Sequence, residues 1–101
     1  MKLYTINATP HRFDDDYQTM VEKSAAYKGH VSGILEKIGI DGFTIYEVNG
    51  YWQGTPEQSF KIEVATDLDY EKIVAVCAKL RDDFNQDSVM LTSPDNSVEF
   101  I

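Results

Sequence analysis

The sequence predicts an α+β domain of ferredoxin-like βαββαβ order, a four-stranded antiparallel sheet with two helices on one face. Two observations carry this. Apolar residues recur at helical spacing in two stretches, and four shorter stretches alternate with a period near two. Between them stand turn residues, giving the order strand, helix, strand, strand, helix, strand. The 101 residues are enough for one core and are read as a single domain, 1–101.

Lys2 to Thr9 alternates as a strand, with Tyr4, Ile6 and Ala8 on one face, and Pro10 ends it. The aspartates at 14–16 suit a helix N-terminus, because carboxylates accept the orphan N–H groups of the first turn and complement the helix dipole. The first helix is placed from near Asp15, with Met20, Val21, Tyr27, Val31, Ile34, Leu35 and Ile38 as its apolar stripe and Gly39 as its C-cap. Gly29 and Gly33 inside it mark a close backbone approach or a kink, since each costs about 1 kcal/mol against alanine.

Gly42 to Asp67 reads as a hairpin. Phe43 and Ile45 share one face and Tyr46 and Val48 the other, so its first arm carries a bulge or has two apolar faces. The second arm is regular, with Phe60, Ile62 and Val64 inward and Ser59, Lys61 and Glu63 outward. Asp67 and Asp69 flank a second helix whose inward stripe is Ile73, Val76, Cys77, Leu80 and Phe84. Ser88 to Thr92 is the fourth strand, and Val98, Phe100 and Ile101 form a terminal strand or pack on the end. Right-handed crossovers put the first and third strands in the centre.

That topology gathers the end of the first strand, the hairpin tip and the start of the fourth strand at one end of the sheet. His11, Arg12, Tyr51, Trp52, Glu57, Ser59, Gln86 and Ser88 are therefore the candidate binding residues. Trp52 beside Tyr51 suits either a recognition anchor or packing over the core. Glu57 with Ser59, and Gln86 with Ser88, each sit two apart on an extended arm, which suits a polar pocket or a hydrogen-bonded latch between the tip and the fourth strand; Gln86 could equally cap the second helix.

Asp41 to Leu91 also resembles a family of small uncharacterised bacterial and phage proteins. The shared pattern is G-(F/L)-T at Gly42, Phe43 and Thr44, G-x-W at Gly50 and Trp52, E-x-S at Glu57 and Ser59, and F-x-Q-x-S-V at Phe84, Gln86, Ser88 and Val89. The resemblance implies the ferredoxin-like fold and marks the same end of the sheet; it implies no reaction.

Catalytic and metal motifs are absent from the sequence. A lone Cys77 on an inward stripe is a buried small hydrophobe and gives no disulfide, and two distant histidines give no metal-ligand spacing. The loop at His11 and Arg12 lacks the glycine cradle of acylphosphatase-like domains, and Pro10 removes a backbone donor from it. Neither cofactor nor metal is expected. Seventeen acidic residues against nine basic give a formal charge of −8, which disfavours direct contact with nucleic acid or anionic lipid. With no membrane-length apolar run and no signal-peptide core, a cytoplasmic location is expected.

Two readings of function follow. The first, and the preferred one, is a non-enzymatic binding or regulatory protein, phage-like and acting on a protein partner. In its sharpest form it is an anti-defence inhibitor that occupies the basic channel of a nucleic-acid-binding host protein, with homodimerisation through the open sheet face. The alternative is a small-molecule-binding protein or minor enzyme with a pocket at the loop end near His11, Arg12, Trp52 and Glu57.

Overall fold

A computed structural model describes residues 1–12 and 14–101, with the side chains of Trp52 and Thr55 outside the description. The elements run β1 (Lys2–Ala8), α1 (Tyr17–Lys37), β2 (Phe43–Trp52), β3 (Thr55–Thr66), α2 (Tyr70–Asp83), β4 (Met90–Thr92) and β5 (Val98–Phe100). The sheet is antiparallel throughout, in the order β2-β3-β1-β4-β5. The first and third strands are central, as the crossover rule requires. The expected four strands become five, because the terminal segment pairs on the outer side of β4, Met90 opposite Phe100 and Thr92 opposite Val98.

The core lies between one sheet face and the two helices. Tyr4, Ile6 and Ala8 of β1 and Phe60, Ile62 and Val64 of β3 meet Tyr27, Val31 and Leu35 of α1 and Ile73, Val76, Cys77 and Leu80 of α2. Aromatic rings tie three elements together: Tyr27 packs on Phe60 with centroids 4.8 Å apart and edge-on to Phe84 at 4.7 Å. Burial pushes the Cys77 thiol up to about 12, which leaves it an unreactive core residue.

β2 pairs continuously with β3 from Phe43–Val64 to Trp52–Thr55, so its mixed pattern comes from two half-covered faces and not from a bulge. Phe43 and Ile45 pack on the core, whereas Tyr46 stands on the open face under the Lys61 ammonium, 5.6 Å from the ring centroid. The hairpin closes through Gln53 and Gly54, both at positive φ (50° and 80°), the two-residue turn whose twist matches its strands.

Both helices end the same way. At α1, the N–H of Gly39 bonds the carbonyl of Glu36 and that of Ile40 the carbonyl of Leu35, with Gly39 at φ 91°. At α2, Asn85 (φ 53°) takes the glycine's place, with Asn85 N–H to Asp82 and Gln86 N–H to Arg81 at 2.8 Å. Asp16 caps α1 by accepting from the Thr19 N–H at 2.7 Å. Asp69 occupies the matching position of α2 without a side-chain bond. The fourth strand starts at Met90 rather than Ser88. β5 is clamped from behind: the Tyr70 hydroxyl meets both Glu99 carboxylate oxygens at 2.5 Å, and this bond holds the phenol up at about 12.

Gly29 and Gly33 correct an expectation. Both are exposed, and a Cβ built on either meets nothing within 4 Å, so no close backbone approach explains them. Gly29→Ala and Gly33→Ala are each expected to stabilise the fold by about 1 kcal/mol, a rise of several degrees in melting temperature by calorimetry. Phe60→Ala, which empties the middle of the aromatic cluster, should cost about 3–5 kcal/mol in a denaturant titration.

Candidate functional site

β3 sorts the candidate residues by parity. Phe60, Ile62 and Val64 point to the helices, so Gln58 does as well, while Glu57 and Ser59 stand on the open face. The loop end thus carries two separate polar groups, back to back through one strand.

On the helix side the group is a closed network. Ser24 of α1 lies 3.0 Å from His11 Nε2 and donates to Gln58 Oε1 at 3.1 Å. The Thr9 hydroxyl donates to the Gln58 carbonyl at 2.9 Å and accepts the His11 N–H at 3.1 Å. The Gln86 amide donates to the His11 carbonyl at 2.9 Å and to that of Phe84 at 3.2 Å. Arg12 donates to the carbonyl of Asn85, joining the same two loops. His11 is only 6% exposed, and its Nδ1 has no hydrogen-bond partner among the described residues. Desolvation lowers its pKa, Asp15 and Glu57 pull it up, and Lys23 pushes it down.

On the open face, Glu57 is exposed and sits opposite Gly50. A Cβ on Gly50 would stand 2.8 Å from Ser59 Oγ and 3.6 Å from Glu57 Cγ. Gly50 therefore leaves a shallow notch that the Ser59 hydroxyl fills, with the Glu57 side chain beside it, and the sequence pattern singles out the same three residues. Tyr51 is 71% exposed at the tip. The Trp52 side chain, and with it the choice between anchor and packing, lies outside the described residues. Among those residues Ser88 is exposed and makes no side-chain hydrogen bond.

The structure brings His11, Arg12 and Gln86 together and leaves Glu57 and Ser59 on the other face. The expected latch of Glu57 and Ser59 with Gln86 and Ser88 does not form. Gln58 is the latch instead, with Ser24 and Thr9, three residues missed because each reads as ordinary polar surface until β3's parity turns Gln58 inward. Gln86 does cap the second helix, through the carbonyl of Phe84. A shared pocket of His11 and Glu57 is likewise corrected, since the imidazole is sealed inside.

A groove of about 700 Å³ lies at the opposite end of the sheet, lined by residues that include Leu3, Ile40, Phe43, Glu63 and Asp67. Two of its acids are paired: Asp67 with the N-terminal ammonium at 3.3 Å and Glu63 with Lys61 at 3.4 Å. Among the described residues no three His, Cys, Asp or Glu side chains converge as metal ligands, and no helix is long and apolar enough to cross a membrane.

The architecture is that of small α+β proteins with two helices packed on one face of an antiparallel sheet. A nitrogen-regulatory PII-like protein from Thiomonas intermedia K12, solved with ADP, AMP and bicarbonate, shares the fold at TM-score 0.55 and 17% identity over 99% of this chain and 88% of that one. A phage SAM lyase in its apo state matches at TM-score 0.71 and 22% identity, over 99% of this chain and 87% of that one. A phage SAM lyase in complex with S-methyl-5′-thioadenosine matches at TM-score 0.68 and 20% identity, over 99% and 88%. Curated proteins give no match. The model of the S-adenosylmethionine lyase family matches residues 18–101, and the chain belongs to that family. This overturns the expectation of a non-enzymatic binding or regulatory protein, because the family is one of enzymes.

Two outcomes check the geometry. Gly50→Ala should leave stability within about 1 kcal/mol, because one rotation at Ser59 relieves the contact, while changing the Ser59 rotamer in a crystal structure. Asp15 is held low by hydrogen bonds from Lys23 Nζ at 2.7 Å and the Arg12 N–H at 2.9 Å. Its stabilisation is full above the ordinary value of 3.8 and fades as pH falls toward the depressed one. Lys23→Met is expected to raise the midpoint of acid unfolding, followed by circular dichroism.

Proposed function

We propose that this protein cleaves S-adenosylmethionine to S-methyl-5′-thioadenosine in the cytoplasm, at the open-face notch formed by Gly50, Glu57 and Ser59. The family match over residues 18–101 carries the reaction class. Charge and geometry support the place. The substrate carries a sulfonium and an ammonium, and the −8 chain attracts cations. Glu57 is exposed beside Gly50 and the Ser59 hydroxyl, whereas two acids of the opposite groove are already paired.

The chemistry asks little of the protein. The sulfonium–Cγ bond breaks, its electron pair leaves with sulfur, and a neutral thioether departs without needing a proton. In a lyase the four-carbon fragment makes its new bond without water: its own carboxylate oxygen attacks Cγ and closes a lactone, or a β-proton passes to a base and a Cβ–Cγ double bond forms. A carboxylate placed at the departing sulfonium would oppose that loss of charge. Glu57 is therefore assigned to the α-ammonium, the positive charge that both outcomes keep, where it orients the fragment.

Incubation with S-adenosylmethionine, followed by chromatography, is expected to yield one S-methyl-5′-thioadenosine per substrate consumed. Intact substrate with folded protein would end this reading. Glu57→Gln should lower kcat/KM on the order of 10- to 100-fold. If Asp41→Asn in the opposite groove abolishes activity and Glu57→Gln does not, the site lies there instead.

A further inference from the structure

The geometry points to His11, Ser24 and Gln58 as a positioning relay that fixes the β3 arm bearing Glu57, with His11 held as the neutral tautomer that donates through Nε2. Its link to catalysis rests on the cleavage reading above; its proton arrangement does not.

The hydrogen inventory carries the tautomer. A serine hydroxyl has one proton, and Ser24 gives it to Gln58 Oε1. The contact of Ser24 Oγ with His11 Nε2 at 3.0 Å then has to be donated by the ring. His11 Nδ1 is left with a bare lone pair, and it is the ring atom without a partner among the described residues. A protonated ring would put a second N–H at that position, in an interior where His11 is 6% exposed. The charged groups facing it are Asp15 and Lys23, bonded to each other at 2.7 Å, and Glu57 across the strand.

The mechanical consequence follows from strand alternation. Gln58 is held at its side chain by Ser24 and at its carbonyl by Thr9, from 34 and 49 residues away in sequence. Fixing both ends of Gln58 fixes the plane of the neighbouring peptide and the direction in which Glu57 leaves the strand. None of the three side chains touches the notch, so they act through Glu57 and its orientation.

The test compares wild type with Ser24→Ala, Ser24→Thr, Gln58→Met and the double variant Ser24→Ala/Gln58→Met. Turnover to S-methyl-5′-thioadenosine is measured against pH. Ser24→Ala and Gln58→Met should each lower kcat on the order of 10- to 100-fold with KM little changed, and the double variant should be no worse than either. Ser24→Thr, which keeps the hydroxyl, should recover most of the loss. The acid limb of the wild-type profile should lie below the ordinary histidine value of 6.5 and move further down in Ser24→Ala, because a charged ring loses more than a neutral one when the acceptor for its Nε2 proton is removed. In 15N-histidine spectra, with His30→Gln assigning the second ring, wild-type His11 should show a protonated Nε2 and a bare Nδ1.

A proton on Nδ1, or a Ser24→Ala enzyme with wild-type kcat and an unmoved acid limb, would overturn the relay. If wild type makes no thioadenosine, the cleavage reading falls by itself. The relay is then judged on the tautomer and on amide exchange at Glu57 and Ser59, which Ser24→Ala must accelerate. Unchanged exchange would sink it.

Discussion

The parity of β3 is the constraint on which the rest depends. Its inward residues Phe60, Ile62 and Val64 bury the centre of the sheet, and the same alternation carries Gln58 inward past the point where apolar packing ends. A half-buried amide left without a partner is a cost to the fold. Ser24 and Thr9 meet that demand, and doing so binds α1 and the end of β1 to the hairpin. The opposite parity delivers Glu57 and Ser59 to the open face. One register therefore sets both the core and the candidate site, and a slip by one residue would exchange them.

The helix ends perform a second task. Asn85 adopts at α2 the left-handed conformation that Gly39 adopts at α1, and the turn it makes places Gln86 against the His11 carbonyl. A C-cap that would otherwise only finish a helix thereby joins the last loop to the first. Two loops far apart in sequence are held by Arg12 to Asn85 and Gln86 to His11, with Lys23 and Asp15 closing the near side.

Much of this fold was legible because its signals are periodic. The stripes at Tyr27, Val31 and Leu35 and at Ile73, Val76 and Leu80, and the alternation through Phe60 to Val64, decide element type and facing without reference to distant residues. What was not legible is non-local. Gln58, Ser24 and Thr9 carry no local mark of burial, and His11 followed by arginine and a run of acids reads as exposed loop. Val98 to Phe100 makes a strand only because β4 has a free side to offer. The enzyme class was hidden for a chemical reason. A sulfonium brings its own leaving group, so the proposed reaction needs neither an activated nucleophile nor a metal, and leaves no motif.

The fifth strand has a consequence for how the molecule meets its neighbours. It pairs with β4, is clamped through Glu99 to Tyr70, and makes that border of the sheet three residues long, Val98 to Phe100. The other border is β2, ten residues long. A three-residue rim offers too few open backbone groups to template an incoming strand, whereas β2 offers a full row. The two borders of the sheet are thus unequal in the backbone they present, three residues at β5 and ten at β2.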